Sequence, residues 1–299
     1  MNTISQDQLT QKQLDRLAAQ RQLYSDAKRI QAFQKILSIP VVVLWSLFVM
    51  WIPDLKVYAA YWGICVTLLD VIFFTPWQRS LKEKAAKVQE LFDCDVLKLS
   101  WRNLQAGRRP DAEAIMESSS KFKCVDPECS TLRNWYPGSV DKLPIHLARI
   151  VCQRANCWWD ANLRRRYATW MIISVGTLTI FVFLVGLVGG LTLEKFFLAV
   201  LAPLMPAFVL GLREYTEHKE SASKLDRLIE HAEKLWNMAI IEKATPDELT
   251  EESRDLQDEI YDHRRRSPLI FDWIYRRLRQ THEDQMNKGA EALIEEALK

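Results

Sequence analysis

Two stretches of this 299-residue chain place guanidinium groups beside indole and phenol rings at helical spacing. The first, HLARIVCQRANCWWDANLRRRY from His146 to Tyr167, brings Arg149, Arg154, Asn156, Trp158, Trp159, Asp160, Arg164, Arg165 and Arg166 into a few turns. The second, EIYDHRRRSPLIFDWIYRRLRQTHEDQM from Glu259 to Met286, carries Arg264, Arg265, Arg266, Phe271, Trp273, Tyr275, Arg276, Arg277 and Arg279. Guanidinium forks grip phosphate oxygens through paired hydrogen bonds and aromatic faces stack on bases, so the combination suits a nucleotide-like anion. The candidate ligand residues are Arg149, Arg154, Asn156, Trp159 and Asp160 in the first stretch, with Arg265, Arg266 and Tyr275 in the second. Ordinary ion pairs compete as the explanation for Arg149 and Arg154, and a solvated face over an aromatic core stripe for the second stretch. Membrane-edge anchoring accounts for Arg164 to Arg166.

No other chemistry is announced. There is no glycine-rich phosphate loop, HExxH or GxSxG, and His146, His218, His231, His263 and His282 are dispersed, so no catalytic residue is assigned and the chain reads as a non-enzyme. The spacings of Cys124 to Cys129 and Cys152 to Cys157 are wider than zinc-binding pairs favour and put the two thiols on different helix faces. The six cysteines therefore read as buried free thiols of a reducing compartment, with no metal and no cofactor. A formal charge of +2 gives no reason to expect a DNA or RNA polymer as partner.

The elements that must hold these clusters include four apolar tracts, Ile36–Ile52, Val57–Trp77, Ala168–Val188 and Phe196–Leu212. A helix needs roughly 17 to 25 apolar residues to cross a hydrocarbon core of about 30 Å, and each tract reaches that range. The first and fourth only just do so, and a buried core helix or a re-entrant segment is their alternative. Only Pro53, Asp54, Leu55 and Lys56 separate the first pair, and a short Gly-Gly link with Glu194 and Lys195 separates the second, so the four spans read as two hairpins. Lys28, Arg29, Lys35, Arg79, Lys82, Lys84, Lys87, Arg164 to Arg166 and Arg213 flank one side, against Lys56 and Lys195 on the other. Basic residues stay on the cytoplasmic side, which makes the chain a multi-pass protein of a cell membrane with both termini cytoplasmic.

The expected fold is an all-α integral membrane protein, four transmembrane helices in two hairpins with a mainly helical cytoplasmic domain. Its parts are a cytoplasmic amphipathic N-terminal helix (1–35), hairpin 1 (36–77), a cytoplasmic helical region (78–167), hairpin 2 (168–212) and cytoplasmic C-terminal helices (213–299). The periodic apolar residues from Leu9 to Phe33 predict one helix over Gln6–Ile36, and Ser80–Phe92 should continue span two. Between Asp93 and Leu143 the Gly and Pro content predicts short helices and turns, with one extended piece at Val96–Trp101. Pro144 opens a helix that runs toward span three, and Leu225, Leu228, Ile229, Ala232, Leu235, Trp236 and Ala239 form a packing stripe. Thr245 with Glu248 reads as a capping box, and Pro268 divides the last helices. Within the spans, Asp70 lines a bundle interior or hydrogen-bonds, and Gly186 and Gly190 allow close helix approach.

Four features together resemble a known family: LAAQRQLYSDAKRI (Leu17–Ile30), ARIVCQRANCWWDANLRRRY (Ala148–Tyr167), LQDEIYDHRRRSPLIFDWIYRRLRQTHEDQM (Leu256–Met286) and the two-plus-two spans. The family is the SMODS-associated four-transmembrane effectors of bacterial cyclic-oligonucleotide antiphage signalling (CBASS). The resemblance implies a membrane effector of the bacterial inner membrane whose activating ligand is a cyclic di- or trinucleotide made by a cognate CD-NTase. It implies permeabilisation or disruption of the lipid bilayer, abortive infection and assembly as a homo-oligomer. A ligand-gated ion channel without gross rupture, or a scaffold that binds a cytoplasmic protein, stands as the alternative.

Overall fold

The computed structural model describes residues 2–188, 190, 192–197 and 201–299, and among these the chain is helix and connecting turn without a strand. A short α1 (Ile4–Asp7) leads by a turn into α2 (Gln11–Ser38). The N-terminal helix is thus divided at Thr10, whose backbone is extended. Just before the break, Gln8 Nε2 donates to the Tyr136 carbonyl at 3.1 Å and its Oε1 accepts from the Tyr136 N–H at 2.8 Å, so its side chain satisfies a distant stretch of backbone. After a break at Ile39, α3 (Pro40–Trp51) begins on a proline, which offers no N–H to an i−4 carbonyl. A 3-10 turn at Pro53–Leu55 reverses the chain into α4 (Lys56–Leu69), a π-helical turn at Asp70–Phe74 and α5 (Thr75–Val96).

The helical path Val57–Val96 is 40 residues long, and α8 (Ile145–Val188) is 44. At 1.5 Å per residue they extend about 60 and 66 Å, twice the thickness of a hydrocarbon core. Only 6 % and 12 % of their most apolar windows are buried within the chain, which distinguishes them from core helices of a soluble domain. These two are the helices, among the described residues, long and apolar enough to cross a membrane. The first predicted span is carried by the end of α2 and the 12-residue α3. In the fourth, Leu198, Ala199 and Val200 lie outside the described residues, as do Gly189 and Leu191 of the link that contains α9 (Leu193–Phe196).

Asp70 hydrogen-bonds at the π-helical turn. Its Oδ1 accepts from Gln34 Nε2 at 2.6 Å and from Thr75 Oγ1 at 2.9 Å, while Gln78 Nε2 donates to Gln34 Oε1 at 2.6 Å. The extra residue of a π turn re-aims side chains, and here it faces Asp70 toward α2. The two candidate glycines do different work. At Gly186 an added Cβ would fall 2.5 Å from the Phe196 ring, whereas Gly190 meets nothing within 4 Å and has φ +57°, a left-handed conformation that favours glycine. The close approach that spacing assigned to Gly190 belongs instead to Gly211 of α10 (Ala202–Ile240), where a Cβ would fall 2.5 Å from Val175 Cγ2.

Beyond the apolar tracts the helices build one packed body. The stripe Leu225, Leu228, Ile229, Ala232, Leu235, Trp236 and Ala239 of α10 joins Phe92, Ile150, Val151, Leu249, Leu256 and Ile260 in its core. Trp101, Phe122, Trp135 and Tyr136 pack there too, with Tyr136 stacked on Phe92 at 6.0 Å. The connecting region holds α6 (Asn103–Ala106) and α7 (Ala112–Lys123), and no extended piece. Val96 is the last residue of α5, and Lys98 at φ 55° turns the chain so that Leu99 N–H donates back to the Cys94 carbonyl. Then α11 (Pro246–Arg266) starts with the Thr245–Glu248 capping box, and α12 (Asp272–Ala297) follows Pro268. Cys94, Cys129, Cys152 and Cys157 are buried free thiols, but Cys124 is exposed, since it lies past the end of α7 where no element covers it.

Candidate functional site

Between these helices lies a cavity of about 190 Å³. Arg21, Tyr24 and Lys28 line it from α2, Gln89 from α5, and Arg133, Asn134 and Trp135 from the loop before α8. The helix α8 contributes Asn156, Trp159, Asp160 and Arg164, α11 contributes His263 and Arg264, and α12 contributes Tyr275, Arg279 and Glu283. Arg21, Lys28, Arg133, Arg164, Arg264 and Arg279 outnumber Asp160 and Glu283, so the wall is basic. Two rings meet at the wall: Trp159 and Tyr275 have centroids 5.1 Å apart and are tilted by 58°, and the Arg21 guanidinium sits 3.9 Å above the Tyr275 ring.

The electrostatics of the wall are set by burial. Asp160 accepts from Arg164 Nε at 3.0 Å and lies 3.3 Å from His263 Nε2. Burial alone would raise its pKa, but the Arg164 charge and the His263 contact hold the carboxyl well below its ordinary range. Burial lowers the His263 pKa, only partly offset by Asp160, and Ser267 Oγ also lies 2.9 Å from its Nε2. Lys28 is depressed by burial and by Arg21, although Asp272 holds it at 2.6 Å.

Three polar atoms of the cavity-lining side chains are buried without a partner, one of them Trp135 Nε1. Arg264, whose side chain is 10 % exposed and whose Nη1 pairs with Asp93, has no hydrogen bond at Nη2. Gln20, which donates to Gln89 at 3.4 Å, has none at Oε1. Two buried donors and one acceptor left unpaired are costly unless a ligand or water satisfies them.

Of the residues singled out by sequence, Asn156, Trp159, Asp160 and Tyr275 meet at this cavity. Arg149 lies elsewhere: Nε donates to the Leu97 carbonyl at 2.8 Å, Nη2 to that of Lys98 at 3.3 Å and Nη1 to Thr250 at 3.0 Å, and burial pushes its pKa down to about 10. Arg154 pairs with Glu233 at 2.6 Å beside a separate hollow between α8 and α12. Arg265 and Arg266 both pair with Asp262 away from the cavity. Arg21, Tyr24, Lys28 and Arg133 are not among the candidate ligand residues of the sequence, although the first three lie in the stretch Leu17–Ile30 that carries the family resemblance. Arg264 was visible only as the first of three consecutive arginines.

A second polar chain leads from the cavity toward the apolar tracts. Arg164 Nη1 donates to the Pro268 carbonyl at 3.0 Å and lies 3.5 Å from His218 Nδ1. His218 Nε2 is 3.8 Å from Glu214, which also meets Lys35 at 3.0 Å and Tyr167 Oη at 3.5 Å. Thus α2, α8 and α10 are tied together just where each enters its apolar tract.

No solved structure matches the chain. A protein of Bacillus cereus (strain VD146) described as a probable CBASS effector molecule is 31 % identical over 209 residues. The alignment covers 68 % of this chain and 66 % of that relative, a little under two thirds of its length. The family described as SMODS-associating 4TM effector domain matches residues 2–293, nearly the whole chain, and the protein belongs to that family.

Proposed function

We propose that this protein is a CBASS antiphage effector that binds a cyclic oligonucleotide in the cavity between α2, α8, α11 and α12 and responds by permeabilising the inner membrane. The observation that carries the reading is the union of a basic wall, the Trp159–Tyr275 pair and the unpartnered Arg264 Nη2 in one cavity. A cyclic oligonucleotide offers what that wall lacks: phosphodiester oxygens for guanidinium groups, and bases to stack and hydrogen-bond.

The proposed output follows from helix continuity. α8 carries Trp159, Asp160 and Arg164 on the same rod that becomes an apolar tract, and α10 carries His218 and Glu214 below another. A ligand shifts such a structure only if it binds one arrangement more tightly, and a phosphodiester that draws Arg164 from Asp160 has that property. Assembly of several copies would complete a conducting or disrupting arrangement, since one chain has few helices to line a path.

Isothermal titration of the detergent-solubilised full-length chain with a panel of cyclic di- and trinucleotides tests the binding step. One member should bind, and Arg264→Gln with Trp159→Ala should abolish that binding. Absence of binding by every member, from protein that is folded and monodisperse, contradicts the reading.

A further inference from the structure

The cluster Arg164, Arg165 and Arg166 divides in an informative way. Arg164 turns inward to Asp160 and Arg165 pairs with Asp226, but Arg166 is exposed and forms no ion pair among the described residues. One turn further along α8, Trp170 is 43 % exposed, and its ring meets that of Trp273 on α12 edge-to-face at 6.1 Å. Trp273 is itself 52 % exposed. The Arg277 guanidinium lies 5.5 Å over the Trp170 ring, and neither it nor the neighbouring exposed Arg276 forms an ion pair among the described residues.

Two large indoles exposed together are out of place on a surface facing water, and the basic groups beside them form no close ion pair among the described residues. Tryptophan concentrates at the headgroup level of a bilayer, where its ring is half in apolar surroundings and its N–H is wet. Unpaired arginines at the same level attract anionic lipid, and their apolar stems lie along the acyl boundary while the charge reaches phosphate. Trp170 stands at the start of the tract Ala168–Val188, which fixes the depth of the patch.

We propose that Arg166, Trp170, Trp273, Arg276 and Arg277 form a docking surface for the headgroup layer of anionic phospholipids, and so hold the N-terminal half of α12 on the cytoplasmic leaflet. The proposal rests on the reading of Ala168–Val188 as a span. It also adds a role for α12 as a two-faced helix. Trp273 and Arg277, one turn apart, face the lipid, while Tyr275 and Arg279, one turn apart on the other side, line the cavity. Lipid contact and ligand contact then bear on the same rigid element.

The test uses full-length protein with Cys65→Ser and Trp273→Cys, reconstituted in phosphatidylcholine vesicles with or without phosphatidylglycerol, with a nitroxide on the introduced thiol. A label on exposed Cys124, in a Cys65→Ser protein with native Trp273, is the aqueous reference; the Trp273→Cys protein therefore also carries Cys124→Ser. Collision with oxygen against a water-soluble nickel chelate should place the label at position 273 in the headgroup layer of anionic vesicles. It should move toward water in phosphatidylcholine alone or after Arg166→Gln, Arg276→Gln and Arg277→Gln together. A label there as water-accessible as the one on Cys124, or one indifferent both to lipid charge and to loss of the arginines, overturns the proposal. Alkaline carbonate extraction of the same vesicles tests the span separately: retained protein with a water-exposed label at position 273 defeats only the docking surface, whereas extracted protein defeats both.

Discussion

Arg164 donates from Nε to Asp160 at 3.0 Å across one turn of α8, so the cavity contains an internal carboxylate on one of its own guanidinium groups. A phosphodiester bound as proposed would compete with that carboxylate. Asp160→Asn is therefore expected to act in two directions. It leaves Arg164 without its ionised partner, which should lower stability by about 1–3 kcal/mol, seen as a lower thermal unfolding midpoint. It also removes negative charge from the wall, so the affinity for a cyclic oligonucleotide should rise in titration calorimetry.

The paired rings of Trp159 and Tyr275 should contribute stacking and little else. Alanine at either position is expected to weaken ligand binding by about 1–3 kcal/mol, roughly 5- to 150-fold in Kd. Phenylalanine at Tyr275 should restore most of it. Unchanged affinity in both alanine variants would remove the aromatic pair from the site.

Arg149 separates local chemistry from tertiary placement. Its nitrogens are engaged by two carbonyls and Thr250, so Arg149→Ala should destabilise the body by about 2 kcal/mol or more as those acceptors lose a charged donor. Ligand affinity should stay within about twofold of the unmodified protein. A large loss of affinity without a loss of stability would show that the buried position is not the one used.

Acid should loosen the junction between body and membrane before it reaches the carboxylates. Burial, with Arg164 beside it, pushes the His218 pKa down to about 3, against an unfolded value near 6.5. Between those values the unfolded chain binds the proton and the folded chain does not, so stability rises with pH and is lost as pH falls below about 6.5. The slope from this group approaches ~1.4 kcal/mol per pH unit. Unfolding midpoints from pH 7.5 to 5 should fall accordingly, and His218→Asn should flatten the dependence.

What was legible in the sequence follows the range of the forces. The capping box at Thr245, the α10 stripe and the continuity of Ile145 into an apolar tract are written in neighbouring residues, and the structure has all three. Arg149 and Arg264 carry the same side chain in similar clusters, yet one is satisfied by the end of α5 and the other has a free Nη2 at a cavity. Only long-range packing decides between them. Gln8 and Gly190 make the same point for backbone: one pairs with a distant stretch of main chain and the other has a positive φ, and neither role has a periodic signal.

Ligand-driven breach of the bilayer is the output proposed for this cavity. Its most direct measurement is release of an entrapped dye from vesicles bearing the reconstituted protein, on addition of the cyclic oligonucleotide identified by titration. The account predicts ligand-dependent release that Trp159→Ala or Tyr275→Ala shifts to higher ligand concentration. Tight binding without release, or release equally rapid with no ligand present, would contradict it.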